Sequence, residues 1–183
     1  MILASRSPQR RAILEQLGVA FSVSAAEVEE LELGPAHEIA VENAYRKAAA
    51  VAERLPDGLV LGADTVVALG GRIYGKPADS RAARETLVAF SGRRHAVVGG
   101  LCLIRDGVAR TAAATTQVLF RPLDDALIDW YLASGEWRGR AGGYAIQGRG
   151  AALVAAIDGD YLNVVGLPVA TLLELAPELL WDR

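Results

Sequence analysis

The amino-acid sequence predicts an α/β fold built on a mixed sheet. Segments rich in apolar and β-branched residues alternate with segments of helical spacing, as in sheets flanked by helices. Asp106-Gly107 lies between two long strand candidates and is typical of a two-residue hairpin, so at least one strand pair is antiparallel. With 183 residues, of which 52% are hydrophobic, the chain can bury one core, and we expect a single domain over residues 1–183.

The first elements follow from apolar runs and helix-capping residues. Residues 1–4 are mostly apolar and predict a short strand. Ser7 is a favoured N-cap and Pro8 suits the first helical position, so a helix should begin there and stop at Gly18. Residues 19–24 alternate loosely between apolar and polar and suggest a second strand.

The middle of the chain predicts a loop, a long helix and a hairpin. Residues 27–32 read as an acidic loop, and residues 36–55, rich in Ala, Glu, Arg and Lys, as the longest helix. A β-branched strand over residues 59–69 is followed by a tight turn at Gly70-Gly71 and a short return strand over residues 72–74. Beyond it, we expect helices over 79–90, 124–133 and 168–175, strands over 95–105, 108–120 and 151–157, and a glycine-rich loop over 135–150.

The composition excludes several classes of partner. A net charge of −3 gives no overall attraction to nucleic acid or to an anionic membrane. The single cysteine, Cys102, excludes an intramolecular disulfide and lies in an apolar run where we expect a small buried side chain. No apolar run is long enough for a membrane span, and the first arginines follow the apolar start instead of preceding it as in a secretory signal. We therefore expect a cytoplasmic protein.

An anion site is predicted where the first strand meets the first helix. Free backbone amides and the helix dipole favour an anion at a helix N-terminus. Ser5 and Ser7 add hydroxyl groups there, and Arg6, Arg10 and Arg11 add positive charge before any acidic residue occurs. A phosphate group would suit this arrangement, and an ordinary Ser-Pro cap with solvated arginines is the alternative.

Asp64 is the main candidate for a catalytic carboxylate. It lies in an apolar strand, where burying a carboxylate is costly unless a cation or hydrogen-bond donors compensate. Gly62 and Ala63 beside it are small and are expected to leave room for a ligand. Glu29 and Glu30 could join Asp64 around a hard divalent cation, which prefers oxygen ligands. The alternatives are an aspartate that caps a turn and a solvated acidic loop.

Two lysines and one glutamine complete the candidates. Among 19 basic residues only Lys47 and Lys76 are lysines, and a point charge of this kind suits a phosphate. Lys76 follows the hairpin and can return to the end of the sheet near Asp64, whereas a surface lysine is the alternative for Lys47. Gln147, in the glycine-rich loop, can read a base edge with one donor and one acceptor, unless that loop is only a flexible surface segment.

The order of these motifs resembles the Maf family of nucleoside triphosphate pyrophosphatases over nearly the whole chain. The matching blocks are Leu3-Ala4-Ser5-Arg6-Ser7-Pro8, Gly62-Ala63-Asp64-Thr65, Gly75-Lys76-Pro77, Ser91-Gly92-Arg93-Arg94-His95, Tyr144-Ala145-Ile146-Gln147-Gly148 and Asn163-Val164-Val165-Gly166-Leu167-Pro168. The resemblance implies a two-lobed fold related to inosine triphosphatase-like proteins, with the site between the lobes. It also implies hydrolysis to a monophosphate and pyrophosphate, dependence on Mg²⁺ or Mn²⁺, and a homodimer.

The family's functional residues can be carried over motif by motif. Asp64 looks like the proton acceptor, Glu30 like a metal-site carboxylate beside it, and Ser5, Arg10, Lys47 and Lys76 like the triphosphate contacts. An activated water at the α-phosphorus needs a base and a metal, and the charge that develops on the phosphates needs fixed cations. Lys47 and Lys76 are therefore grouped with Asp64 as catalytic candidates.

Base preference is indicated by two matches and two departures from the family pattern. Thr65 and Gln147 match the branch of the family that acts on dTTP and UTP, whereas Gln9 replaces an arginine and Gly139-Arg140 replaces Asp-Lys of that branch. The resemblance thus favours dTTP and UTP or modified nucleotides as substrates. The alternatives are 7-methyl-GTP and a nucleotide-binding regulator, for example of septum formation, in which hydrolysis is incidental.

Overall fold

The structure is centred on one seven-stranded mixed sheet. A computed structural model describes residues 1–25 and 27–180. Its strands are β1 (Ile2–Leu3), β2 (Ser22–Val23), β3 (Val60–Leu69), β4 (Arg72–Ile73), β5 (Arg94–Arg105), β6 (Val108–Phe120) and β7 (Val154–Asp158). They follow the order β2-β1-β3-β5-β6-β7, with β4 paired to β3. β1 is parallel to both of its neighbours, whereas the other pairs are antiparallel. The predicted mixed sheet is therefore confirmed.

Among the described residues, six α-helices flank this sheet. They are α1 (Pro8–Gln16), α2 (Ala36–Ala52), α3 (Ser80–Phe90), α4 (Asp125–Ala133), α5 (Tyr161–Val165) and α6 (Val169–Leu175). α1 begins as predicted, since Ser7 Oγ accepts the N–H of Arg10 and Pro8 occupies the first position. The longest is α2, with 17 residues, which confirms the predicted long helix. No helix in the described residues is long and apolar enough to cross a membrane.

The two faces of the sheet are covered by different helices. Because successive side chains of a strand point to opposite faces, Leu61 and Ala63 pack against α1 and α6, whereas Val60 packs against α2. A third apolar cluster joins the other end of β3 and β5 to α3, α4 and the glycine-rich loop. The alternation therefore directs Asp64 towards α2 and Thr65 towards α1. A single domain over the whole chain remains a prediction.

Gly62 serves the packing of α2, and the prediction that it leaves room for a ligand is wrong. A Cβ atom on Gly62 would collide with the backbone oxygen of Ala44 in α2. Gly100, which pairs with Asp64 across β3 and β5, meets the backbone of Ala40 in the same way. These two glycines let α2 lie directly on the sheet. The helix is thereby brought close enough for its side chains to reach Asp64 in the middle of β3.

The structure differs from the sequence prediction near the C-terminal end. β7 begins at Val154 and not at residue 151, because pairing with β6 begins at Phe120 and the preceding Arg149–Leu153 form a 3-10 helix. α5 was not predicted, since its sequence Tyr-Leu-Asn-Val-Val favours a strand locally. Asp160 initiates this helix, as its Oδ1 accepts the N–H of Leu162 at 2.7 Å.

Candidate active site

The buried middle of β3 places Asp64 against two polar side chains of α2. Asp64 is only 8% exposed. Its Oδ1 accepts from Lys47 Nζ at 2.6 Å, and its Oδ2 accepts from Asn43 Nδ2 at 3.2 Å. These donors offset the cost of burying a carboxylate, which explains how one is tolerated in an apolar strand. Asp64 is not an aspartate that caps a turn.

Lys47 lies between two carboxylates. Its Nζ atom is 2.6 Å from Asp64 Oδ1 and 2.8 Å from Glu30 Oε1. The side chain is largely buried, so it is not the surface lysine that the helix pattern alone allowed. Lys47 joins β3 to the acidic loop, because its single positive charge contacts both carboxylates.

Side chains of α2 also hold the backbone of the acidic loop. Asn43 binds both the N–H and the C=O of Leu31, at 2.7 and 3.0 Å, and Arg46 donates to the carbonyl oxygen of Glu29 at 3.1 Å. Asn43 was not among the residues predicted for the site. A signal was available, because Asn43 precedes Lys47 by four positions and therefore lies on the same face of the helix.

On the opposite face of β3, Arg10 is buried and donates three hydrogen bonds. Its guanidinium donates to Ser5 Oγ at 2.9 Å, to Thr65 Oγ1 at 3.1 Å and to the carbonyl oxygen of Gly166 at 2.9 Å. Burial lowers the pKa of Arg10, while the nearby negative charges of Asp64 and Glu30 act in the opposite direction. A buried cation held by neutral oxygen atoms is well suited to bind an anion.

The N-terminal turn of α1 completes this part of the site. Ser5 Oγ accepts the N–H of Ser7 at 3.2 Å, and Ser7 Oγ donates to Gln9 Oε1 at 3.1 Å. Arg6 instead is exposed and pairs with Glu27. Ser5, Gln9 and Arg10 are therefore brought together as predicted, whereas Arg6 lies on the rim.

Lys76 and Gln147 lie on two segments of the cleft wall that are hydrogen-bonded to each other. Lys76 follows β4 and is exposed, with no ion pair to any of residues 1–25 and 27–180. The N–H of Gly142 donates to the carbonyl oxygens of Tyr74 and Gly75, at 2.9 and 3.1 Å, and so ties the glycine-rich loop to the segment that carries Lys76. Gln147 is exposed in the same loop, five residues after Gly142.

The glycine-rich loop is not simply a flexible surface segment. Gly142 and Gly143 have φ values of 69° and 67°, and a Cβ atom on them would press against Val67 and Pro77, respectively. These glycines therefore allow the loop to lie close to Val67 and Pro77. The close packing of Gly142 and Gly143 fixes the path of the loop that carries Gln147.

All of these groups open into one cleft of about 1190 Å³. Its lining includes nine residues that the sequence predicted for the site, but not Arg11 or Glu29: Ser5, Gln9, Arg10, Glu30, Lys47, Asp64, Thr65, Lys76 and Gln147. Ligand pockets typically measure roughly 300–1,000 Å³, so the cleft is large enough for a nucleotide with its phosphates. Cationic groups, a carboxylate pair and an exposed amide are thus accessible to one ligand.

The residues present fit a hard divalent cation that also binds a phosphate ligand. Glu30 and Asp64 both contact the ammonium group of Lys47, so their oxygen atoms already face a common positive charge. No group of three or more His, Cys, Asp or Glu side chains with metal-site geometry occurs among the described residues. Mg²⁺ is commonly bound by one or two carboxylates together with substrate phosphates and water, so a carboxylate pair is sufficient.

Two other reactive residue types lie outside the site. Cys102 is fully buried, as predicted, and burial raises the pKa of its thiol to about 12. His95 is 1% exposed, its Nε2 lies 2.9 Å from Tyr144 Oη, and burial lowers the pKa of its imidazole to about 4. At neutral pH the thiol is therefore protonated and the imidazole is uncharged, so neither supplies a charged group.

The chain is similar to known proteins over most of its length. The family model described as Maf-like protein matches residues 1–179. A dTTP/UTP pyrophosphatase of Symbiobacterium thermophilum is 47% identical over 172 residues, covering 92% of this chain and 88% of the relative. A dTTP/UTP pyrophosphatase of Pyrococcus furiosus is 44% identical over 176 residues, covering 96% of this chain and 93% of the relative.

Among solved structures, the Staphylococcus aureus Ham1 protein is similar over 65% of this chain and 70% of its own, with 20% identity and a TM-score of 0.46. The match to the family model and the identity to the two relatives are decisive, and the resemblance seen in the sequence is confirmed: the chain belongs to the family of Maf-like proteins.

Proposed function

We propose that the protein is an enzyme that hydrolyses nucleoside triphosphates at the α-phosphorus, giving a nucleoside monophosphate and pyrophosphate. The observation that carries the proposal is the cleft that Asp64 and its partner Lys47 line together with Arg10 and Lys76. Relatives 47% and 44% identical to the chain are named dTTP/UTP pyrophosphatase. Their names support this reaction and this class of substrate.

The residues of the cleft divide the chemistry between them. Asp64 accepts a proton from the attacking water, and the donors Lys47 and Asn43 fix its orientation. Arg10, with Ser5, and Lys76 bind the phosphate oxygens and stabilise the charge on the departing pyrophosphate. A divalent cation held by Glu30 and Asp64 would lower the pKa of a bound water and neutralise phosphate charge.

The products distinguish this reaction from other hydrolyses. With dTTP or UTP as substrate, we expect the monophosphate and pyrophosphate in equal amounts, because the cations of the cleft surround a triphosphate whose scissile bond is at the α-phosphorus. Ion-exchange separation of the products measures this directly. A diphosphate and inorganic phosphate as the main products would contradict the proposal, and binding without turnover would favour a nucleotide-binding regulator.

Gln147 is proposed to read the base. The imide edge of uracil or thymine presents one donor between two acceptors, and the Gln147 amide supplies both complementary groups. Gln147→Glu loses the donor and faces carbonyl oxygens with a negative charge. We expect kcat/KM for dTTP and UTP to fall by about 10-fold, the size of one lost hydrogen bond of roughly 1.4 kcal/mol.

The measurement is kcat/KM for the common nucleotides and 7-methyl-GTP with both proteins. Wild-type protein should prefer dTTP and UTP, with Thr65 adding a hydroxyl near the nucleotide and with Gln9, in place of an arginine, reducing the margin. Arg149→Ala, two residues beyond Gln147 and outside the cleft lining, is the control. A wild-type preference for 7-methyl-GTP, or an unchanged ranking in Gln147→Glu, would refute this base assignment but not the reaction.

The remaining expectations concern the setting of the enzyme. We propose a small-molecule nucleotide as the only substrate class, a homodimer as the assembly, and the cytoplasm as the compartment. The family resemblance supports the homodimer. Sedimentation of the purified protein would test the assembly, and fractionation of cells would test the compartment.

A further inference from the structure

The side chain of Asn43 connects two segments that carry the carboxylates of the site. It is 1% exposed. Its Oδ1 accepts the N–H of Leu31 at 2.7 Å, and its Nδ2 donates to the C=O of Leu31 at 3.0 Å and to Asp64 Oδ2 at 3.2 Å. One buried amide therefore binds both Asp64 of β3 and Leu31, which is the residue that follows Glu30.

The acidic loop depends on such contacts for its position. Residues 27–32 have no regular secondary structure, and within the described part of the chain they make no backbone–backbone hydrogen bond. Apart from the exposed Arg6–Glu27 pair, side chains of α2 hold them: Arg46 binds Glu29, Lys47 binds Glu30 and Asn43 binds Leu31. Arg46 is partly exposed and also binds Glu42, so Asn43 is the buried contact that holds the backbone.

We propose that Asn43 is a positioning residue that sets the separation of Glu30 and Asp64, and so determines how tightly this carboxylate pair binds a divalent cation. The inference rests on the proposed function, in which that pair holds the cation. One carboxylate lies on a rigid strand and the other on an irregular segment, so their spacing needs a group that binds both. The amide of Asn43 meets this requirement, because it binds both Asp64 and the backbone of Leu31.

A merely structural role would have a different signature. α2 packs on the sheet through Ala44, Ala48 and Val51, which are fully buried and independent of the Asn43 amide. Loss of the amide should therefore leave the helix in place and release the loop. The half-activating concentration of Mg²⁺ should rise, whereas KM for the nucleotide at saturating Mg²⁺ should stay close to the wild-type value.

The test uses Asn43→Ala and Asn43→Leu in the full-length protein. Leu branches at Cγ as Asn does, so it occupies the space without hydrogen bonding and provides a second test if the alanine variant does not fold. For both, we expect the half-activating Mg²⁺ concentration to rise by about 10–100-fold, the range found when groups that orient metal ligands are removed. Mn²⁺ titration followed by electron paramagnetic resonance, with a non-hydrolysable nucleotide present, should show a matching loss of affinity.

Asn163→Ala is the matched control. Asn163 is also fully buried and donates to Val97 O and Thr116 Oγ1, each at 3.0 Å, but it does not line the cleft. Its replacement should lower the melting temperature without changing Mg²⁺ dependence. Unchanged Mg²⁺ dependence and Mn²⁺ affinity in the Asn43 variants would overturn the inference. A wild-type protein that forms no pyrophosphate would instead refute the proposed function.

Discussion

Asp64→Asn should lower kcat by about 10²–10⁴-fold, the usual contribution of a general base. Asn has the shape of Asp and its oxygen can still accept from Lys47, so the cleft should keep its form. KM should therefore change much less than kcat. The measurement is steady-state kinetics with dTTP or UTP, with the products separated to confirm that the residual activity is the same reaction.

Asp79→Asn is the control for this substitution. Asp79 caps α3 outside the cleft, with Oδ1 accepting the N–H of Ala82 at 2.8 Å. Asn caps a helix about as well as Asp, so stability and activity should both stay near the wild-type values. If Asp64→Asn keeps a near wild-type kcat, Asp64 is not the base.

Removal of divalent cations should reduce activity by at least about 10³-fold. A metal at a phosphoryl centre contributes several kcal/mol of charge stabilisation, and each 1.36 kcal/mol corresponds to about 10-fold in rate. The experiment is dialysis against a chelator, then addition of Mg²⁺ or Mn²⁺, with rates measured at each step. Full activity in excess chelator, with no metal detected in the protein, would contradict the proposed cation.

Two glutamates of the acidic loop locate the cation. Glu30 lines the cleft and contacts Lys47, whereas Glu29 presents its carbonyl oxygen to Arg46 and does not line the cleft. Glu30→Gln should therefore weaken Mg²⁺ activation and Mn²⁺ binding, while Glu29→Gln, which carries the same change of charge next to it, should leave both unchanged. Equal effects of the two substitutions would indicate long-range charge and not a ligand.

Local signals in the sequence were sufficient for most of the fold. Ser7 and Pro8 mark the start of α1 because one side chain caps the helix and the other suits its first turn. Asp106-Gly107 marks the β5–β6 hairpin, since both residues adopt the positive φ values that this turn requires. Such features depend on neighbouring residues only, so no knowledge of the tertiary structure is needed.

The site was predictable where residue chemistry was unusual and not where it was ordinary. An aspartate inside an apolar strand and a rare lysine attract notice in any sequence. An asparagine within a helix does not, and the role of Asn43 depends on a loop whose path no local pattern specifies. Gly62 was misinterpreted for the same reason: its neighbour is a helix that begins 26 residues earlier in the sequence, at Ala36.

The protein carries a buried cation at Arg10 that no ion pair neutralises within residues 1–25 and 27–180. Neutral oxygen atoms repay only part of the cost of removing a charge from water. An anion that binds the folded state adds stability, about 2.7 kcal/mol at roughly 100 times its Kd. Selection for heat resistance alone would favour an apolar side chain at this position. That replacement would also remove the positive charge that binds an anionic ligand. Thermal robustness and affinity therefore oppose each other at Arg10.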